Sequence, residues 1–227
     1  MRRATVKKAF FTSLPVMAGY VVLGMGFGIL LREAGYGVGW AAAMSLFIYA
    51  GSMQFVGVGL ISGGASLLTA ALTTLMVNAR HLFYSISMIG TYARAGKFKP
   101  YLIFTLTDET YSLLCGGAVP EGVEPELFRL LVSLFDHSYW VLGSVLGSLL
   151  GAMLPFPTTG IEFSMTALFV SAFTEQWRTM QDHVPALVGL LCSLVCLLVF
   201  GPNRFLIPAM VLITLVLALM KGRRPRP

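Results

Sequence analysis

The sequence predicts an all-α integral membrane protein with about six to eight transmembrane segments. Three observations carry this. The 227 residues are 56% hydrophobic and only 11% charged, with a mean hydropathy of +0.79, far from a soluble domain. Apolar runs of about 20 residues, the length that spans a bilayer, recur along nearly the whole chain. The basic residues gather at the ends, Arg2, Arg3, Lys7 and Lys8 at one and Lys221, Arg223, Arg224 and Arg226 at the other. Flanking charge of this kind sets topology and reads both termini as cytoplasmic. It also accounts for the net charge of +6 without a nucleic-acid partner. The chain is expected to be a single polytopic domain, 1–227.

Segment one is expected over about Leu14–Leu31, as a retained helix, with Pro15 in its first turn. Gly24 and Gly28 let another helix approach closely. Segment two, about Trp40–Ile61, centres on Tyr49-Ala50-Gly51-Ser52-Met53-Gln54-Phe55. Two readings stay open there. One is a broken or re-entrant helix near 45–60 whose free backbone groups meet a substrate. The other is a continuous helix with a small-residue packing face.

Segment three, about Leu67–Ile89, carries Asn78-Ala79-Arg80-His81 at its middle. An arginine at bilayer depth costs roughly 2.5–3.5 kcal/mol on insertion scales, so it needs a partner. At helical spacing Asn78, His81 and Ser85 share one face, with Arg80 and Tyr84 beside it, which favours a cavity or a helix interface over lipid. Arg94, Lys97 and Lys99 form a short basic loop, and Pro100 opens segment four. On a continuous helix Thr105, Asp108, Glu109 and Ser112 share one arc. Adjacent acids there are costly unless paired or protonated. Residues 120–126 form an acidic, turn-rich loop.

Segment five, about Leu127–Met153, places Asp136 on the stripe of Gly143, Gly147 and Gly151. That stripe is a close-packing face, so Asp136 is expected to point into protein. His137 lies beside it. Pro155-Phe156-Pro157 interrupts the chain, and Thr159-Gly160-Ile161-Glu162 fits a capping box, which explains Glu162 without a ligand. Segment six, near 158–176, is the second candidate for a broken or re-entrant helix. Segments seven (about Val184–Phe200) and eight (about Phe205–Met220) read as scaffold. Cys115, Cys192 and Cys196 all sit in apolar surroundings and imply packing rather than a metal site or disulfide.

Two topologies fit. If all eight segments cross, Lys and Arg number ten inside and five outside, with Arg80 in the membrane. If segments two and six are re-entrant, six cross and the count becomes twelve against three, which the positive-inside rule prefers. The halves 1–119 and 120–227 then form an inverted repeat, a common transporter plan with its site at the midplane.

Several motifs carry a family resemblance. They are the stretch 49–55, Asn78-Ala79-Arg80-His81, Thr107-Asp108-Glu109-Thr110-Tyr111, Gly160-Ile161-Glu162-Phe163 with Thr166-Ala167-Leu168-Phe169, and Glu175-Gln176-Trp177. In order and spacing, over about residues 10–200, the chain resembles the AzlC/YgaZ family, the large subunits of bacterial branched-chain amino acid exporters. The acid of the family's Gly-Leu-Asp-Phe-like motif is Glu162 here, a conservative change. The resemblance implies export of leucine, isoleucine, valine or similar neutral amino acids, a small AzlD/YgaH-like membrane subunit as partner, and a multi-pass place in the bacterial plasma (inner) membrane. It implies no cofactor and assigns no site residue.

The site is therefore read from chemistry. An amino acid brings a carboxylate, an ammonium group and an aliphatic side chain. Gly51, Ser52, Gln54, Asn78, Arg80 and His81 are the candidate substrate-binding residues, with Arg80 or the Gly51–Ser52 backbone taking the carboxylate. Asp108, Glu109, Asp136 and Glu162 are the candidates for proton coupling or ion pairing. Phe47, Phe55 and Phe83 are candidate wall residues. If the mid-segment acids share one cavity with the single Arg80, at least one is protonated part of the time, which suggests coupling to the proton gradient. No catalytic or metal-ligating residue is assigned. The chain has no nucleophile elbow for a hydrolase and no phosphate-binding loop for ATP-driven transport. A passive channel and a non-transporting assembly subunit remain as rivals.

Overall fold

A computed structural model describes residues 2–115, 119–153, 160, 163, 166–167, 170, 173–174, 177–178, 182–202 and 205–223. The described residues contain helices and no strand. Two helices are long and apolar enough to cross a membrane, α1 (Arg2–Glu33) and α8 (Pro125–Met153). Between them lie α2 (Val38–Phe47), α3 (Gly51–Ser62), α4 (Leu67–Asn78), α5 (Arg80–Tyr92), a 3₁₀ turn at Gly96–Phe98, α6 (Lys99–Phe104) and α7 (Asp108–Leu114). After them come α9 (Val184–Phe200) and α10 (Leu206–Arg223).

The α1–α8 pair is the spine, and glycine explains why. Gly24 and Gly28 on α1 face Gly143, Gly147 and the backbone of Ser144 and Ser148 on α8. A Cβ at Gly143 would sit 2.7 Å from the Val21 carbonyl oxygen, and one at Gly147 would sit 2.5 Å from Met25 Cα. Only hydrogen fits between these backbones. The stripe expected from the spacing of Gly143, Gly147 and Gly151 thus meets α1, and Asp136 on the same face has no solvent exposure.

The α1 helix starts at Arg2, well before the expected Leu14, so Pro15 lies inside it rather than in its first turn. A proline there removes one backbone donor. Nearby, Ser13 Oγ donates to the Phe10 carbonyl at 3.0 Å and also bonds Tyr139 OH of α8 at 3.1 Å.

Segment two is broken rather than continuous. The α2 helix stops at Phe47 and α3 starts at Gly51. Tyr49 between them has φ 46°, in the left-handed region that a tyrosine seldom occupies. Segment four is broken too, which its sequence did not announce: α6 ends at Phe104 and α7 begins at Asp108. The expected arc of Thr105, Asp108, Glu109 and Ser112 on one helix therefore does not form. Segment three carries only a minor irregularity at Ala79, whose φ and ψ stay helical. Glu162 and Thr159 lie outside the described residues; those described between 163 and 178 are helical.

Two apolar clusters flank the broken helices. One joins Tyr20, Leu23 and Phe27 of α1 to Met44, Phe55, Tyr139 and Trp140. The other joins Ala9 to Met88, Tyr92, Leu102, Leu114, Phe128 and Val132. Phe135 borders both. Outward faces stay apolar, with Leu67, Leu68, Leu198 and Val199 all exposed, a surface suited to lipid.

Candidate functional site

The breaks in segments two and four open onto one small cavity. Its walls are Tyr20 and Leu23 of α1, Tyr49 and Ala50 of the first break, and Trp140 of α8. Its polar rim is Gly51 and Ser52 at the start of α3, Arg80 and His81 at the start of α5, and Thr107, Asp108 and Glu109 at the start of α7. The cavity volume is about 40 Å³, room for a few waters.

The helix starts explain the charges. The first internal bond of α3 runs from Gln54 N–H to the Ala50 carbonyl at 2.8 Å, so the N–H groups of Gly51, Ser52 and Met53 are not used by the helix. Gly51 also lets the Trp140 ring lie against this end, since a Cβ there would come within 3.1 Å of the indole. Asp108 and Glu109 sit in the first turn of α7, where the helix dipole favours negative charge. Thr107 caps α7, its Oγ1 accepting from Thr110 N–H at 3.3 Å.

Arg80 finds its partner across these ends. It forms an ion pair with Asp108 at 2.7 Å and donates a hydrogen bond to Ser52 Oγ, tying α3, α5 and α7 together. Glu109 Oε2 accepts from Tyr20 OH at 2.7 Å, and Tyr20 OH also bonds Thr107 Oγ1 at 2.6 Å. Asp136 is not on the cavity wall. It lies behind it, its Oδ2 accepting from Thr110 Oγ1 at 2.8 Å.

Other expected site residues are placed elsewhere. Gln54 is buried in a structural network: its Oε1 accepts from Trp140 Nε1–H at 2.9 Å, and its Nε2 donates to Ser45 Oγ at 3.2 Å. Ser45 in turn donates to Ser144 Oγ at 2.7 Å. Asn78 does not line the cavity; its carbonyl oxygen meets His81 Nδ1 at 3.1 Å. His137 ties two half-helices, its Nε2–H donating to the Ser45 carbonyl at 3.2 Å and its Nδ1 accepting from Tyr101 OH at 3.0 Å. Phe47 and Phe83 are exposed, and Phe55 packs on Phe27 outside the cavity. Tyr20, Tyr49, Thr107 and Trp140 line the cavity without having been singled out as site residues. Only Thr107 carried a local signal, a threonine directly before two acids. Among the described residues no cluster of three or more His, Cys, Asp or Glu side chains is placed to hold a metal ion.

Residues 15–154, which include every residue of the cavity, match the family model described as AzlC protein. The chain belongs to the AzlC family. It is 42% identical to the branched-chain amino acid transport protein AzlC of Bacillus subtilis (strain 168), over 96% of this chain and 86% of that protein. It is 43% identical to an uncharacterized membrane protein of Helicobacter pylori (strain 26695), over 95% of this chain and 94% of the relative. The inner membrane protein YgaZ of Escherichia coli (strain K12) is 29% identical over 94% of this chain and 87% of its own length. No solved structure matches the chain. As an AzlC-family chain it has a transport family's sequence, and its broken helices place polar ends inside an otherwise apolar protein.

Proposed function

We propose that this AzlC-family chain is the large subunit of an exporter of branched-chain or similar neutral amino acids. It works in the bacterial inner membrane, as one multi-pass domain with both termini cytoplasmic. A small AzlD/YgaH-like membrane subunit is its partner, and the proton gradient drives it. The observation that carries the reading is the cavity where two broken helices begin. One side offers the unused N–H groups of Gly51 and Ser52, which suit a carboxylate. The other offers Glu109, which suits an ammonium group. Tyr20, Leu23, Tyr49 and Trp140 supply apolar surface between them. Arg80, already paired with Asp108, holds the helix ends in register rather than serving as the main carboxylate ligand. The name of the Bacillus subtilis relative supports the substrate class.

The cavity as it stands is smaller than a branched-chain amino acid, so substrate entry requires the half-helices to part. The test is efflux of preloaded valine and leucine from cells, with and without the small subunit, at two external pH values. Faster efflux with both subunits, changing with the proton gradient, is the expected result. No efflux of any neutral amino acid would refute the substrate class. Downhill-only flux would turn the reading to a channel.

A further inference from the structure

The bonds around the cavity join into one line. Glu109 Oε2 meets Tyr20 OH at 2.7 Å, Tyr20 OH meets Thr107 Oγ1 at 2.6 Å, Thr107 Oγ1 meets Thr110 Oγ1 at 3.2 Å, and Thr110 Oγ1 meets Asp136 Oδ2 at 2.8 Å. Three hydroxyls thus bridge two carboxyl groups through four hydrogen bonds. We infer that Glu109 and Asp136 share one proton and exchange it through the hydroxyls of Tyr20, Thr107 and Thr110.

The argument is a count. Three hydroxyls supply three protons, and the line has four links. With both carboxyls ionised, one link has two lone pairs facing each other. With both protonated, one link has two hydrogens facing each other. One added proton fills all four. Thr107 fits this scheme: it accepts the Thr110 N–H, accepts one neighbouring hydroxyl and donates to the other.

Burial says where the proton rests. Asp136 has no solvent exposure, and among the described residues its Oδ1 has no hydrogen-bond partner, so a charge there is poorly supported. Around it, Thr110 and Glu109 face it from α7 and Tyr49 from the first break, while His137 is its neighbour on α8. No cation is among them. Glu109 instead has Arg80 of α5 nearby, along with Asp108, Tyr20 and Tyr84. In the structure Thr107 donates to Thr110, Thr110 to Asp136 and Tyr20 to Glu109, the donor sense of two ionised carboxyls. With the shared proton on Asp136 the inner donors turn round, so that Asp136 O–H donates to Thr110, Thr110 to Thr107, Thr107 to Tyr20, and Tyr20 to ionised Glu109. Transfer reverses every donor: Tyr20 gives its proton to Glu109 and takes one from Thr107, Thr107 takes one from Thr110, and Thr110 takes the proton of Asp136. Each hydroxyl ends with one proton, Glu109 is neutral and Asp136 is ionised. An ammonium group bound at Glu109 would hold the proton at Asp136, and its departure would release the proton to the cavity.

The use of this relay in export rests on the proton-coupled reading above. Thr110→Val removes one hydroxyl and keeps the shape, and Thr110 is not on the cavity wall. The assay uses the chain with its small subunit in vesicles, reading valine counterflow and the proton flux that accompanies net valine efflux. Proton flux with Thr110→Val is expected to fall about 10²-fold, the size of a lost proton-transfer step. Counterflow should be kept, and Thr110→Ser should restore the flux. Undiminished proton flux, or equal loss of both activities, overturns the relay. Should the unaltered protein move valine without protons, the coupled reading fails, and infrared spectra then judge the shared proton alone. A protonated carboxyl band that Asp136→Asn removes should shift with Tyr20→Phe, which does not touch Asp136. No such band, or a band that stays in place, overturns the inference.

Discussion

Gly147→Ala tests the spine on which the site is mounted. The new methyl would lie 2.5 Å from Met25 Cα and 2.6 Å from Met25 carbonyl carbon, with the carbonyl oxygen closer still. All three are backbone atoms, so no side chain can turn aside. Carbon atoms rest at about 3.5–4.0 Å, which means α1 and α8 must part by about 1 Å. A gap of that size forfeits about a quarter to a half of each contact along the crossing. Overpacking of this kind costs about 1–3 kcal/mol. For a chain of this size that lowers the melting temperature by roughly 2–12 °C. The control is Gly19→Ala, where no atom of the described residues lies within 4 Å of the added carbon. In mid-helix that change gains about 0.5–1 kcal/mol. The assay is thermal unfolding of both purified variants in one detergent. Equal melting temperatures for Gly147→Ala and Gly19→Ala would refute the account of the crossing.

Three further predictions concern the ties around the cavity. Trp140→Phe leaves buried Gln54 Oε1 without its indole donor and should cost about 1–3 kcal/mol in thermal unfolding. Arg80→Ala strands Asp108, and the double variant with Asp108→Ala should recover part of the loss. The two side chains are 25% and 28% exposed, so the coupling in a double-mutant cycle should stay nearer the low end of about 0.5–3 kcal/mol. His137→Phe cuts the bonds to Ser45 and Tyr101 at once and should lower stability by about 1–3 kcal/mol, read as reduced abundance in the membrane.

What the sequence disclosed was local or periodic. Four-residue spacing exposed the glycine faces of segments one and five, and the same spacing turned Asp136 inward. The cost of a mid-membrane charge showed that Arg80 needed an acid, but four acids were candidates, and only the fold chooses Asp108. Gly51 and Ser52 hinted at the first break. The second break had no glycine or proline at Thr105–Thr107 to announce it; tertiary bonds from Tyr20 hold it instead. Pro15 misled because proline favours a helix start, whereas here α1 runs through it from Arg2. The roles of Tyr20 and Tyr49 were not legible, since nothing in an apolar run says where a phenol oxygen will point. Gln54 looked like a ligand because a mid-membrane amide wants partners, and it found them in Trp140 and Ser45.

The glycine-to-backbone seam between α1 and α8 also limits which parts can move. Sliding along the seam would bring a residue with a Cβ to where only Gly28 fits, so these two helices behave as a fixed keel. Tyr20 belongs to that keel on one side and Asp136 on the other. Glu109 and Thr110 belong to the short helix held between them, and Thr107 caps it. Any swing of α7 that widens the cavity must therefore pull on the contacts with both keel helices at the same time. The geometry makes the position of one seven-residue helix a timing device, closed in the arrangement seen and interrupted once the helix leaves it.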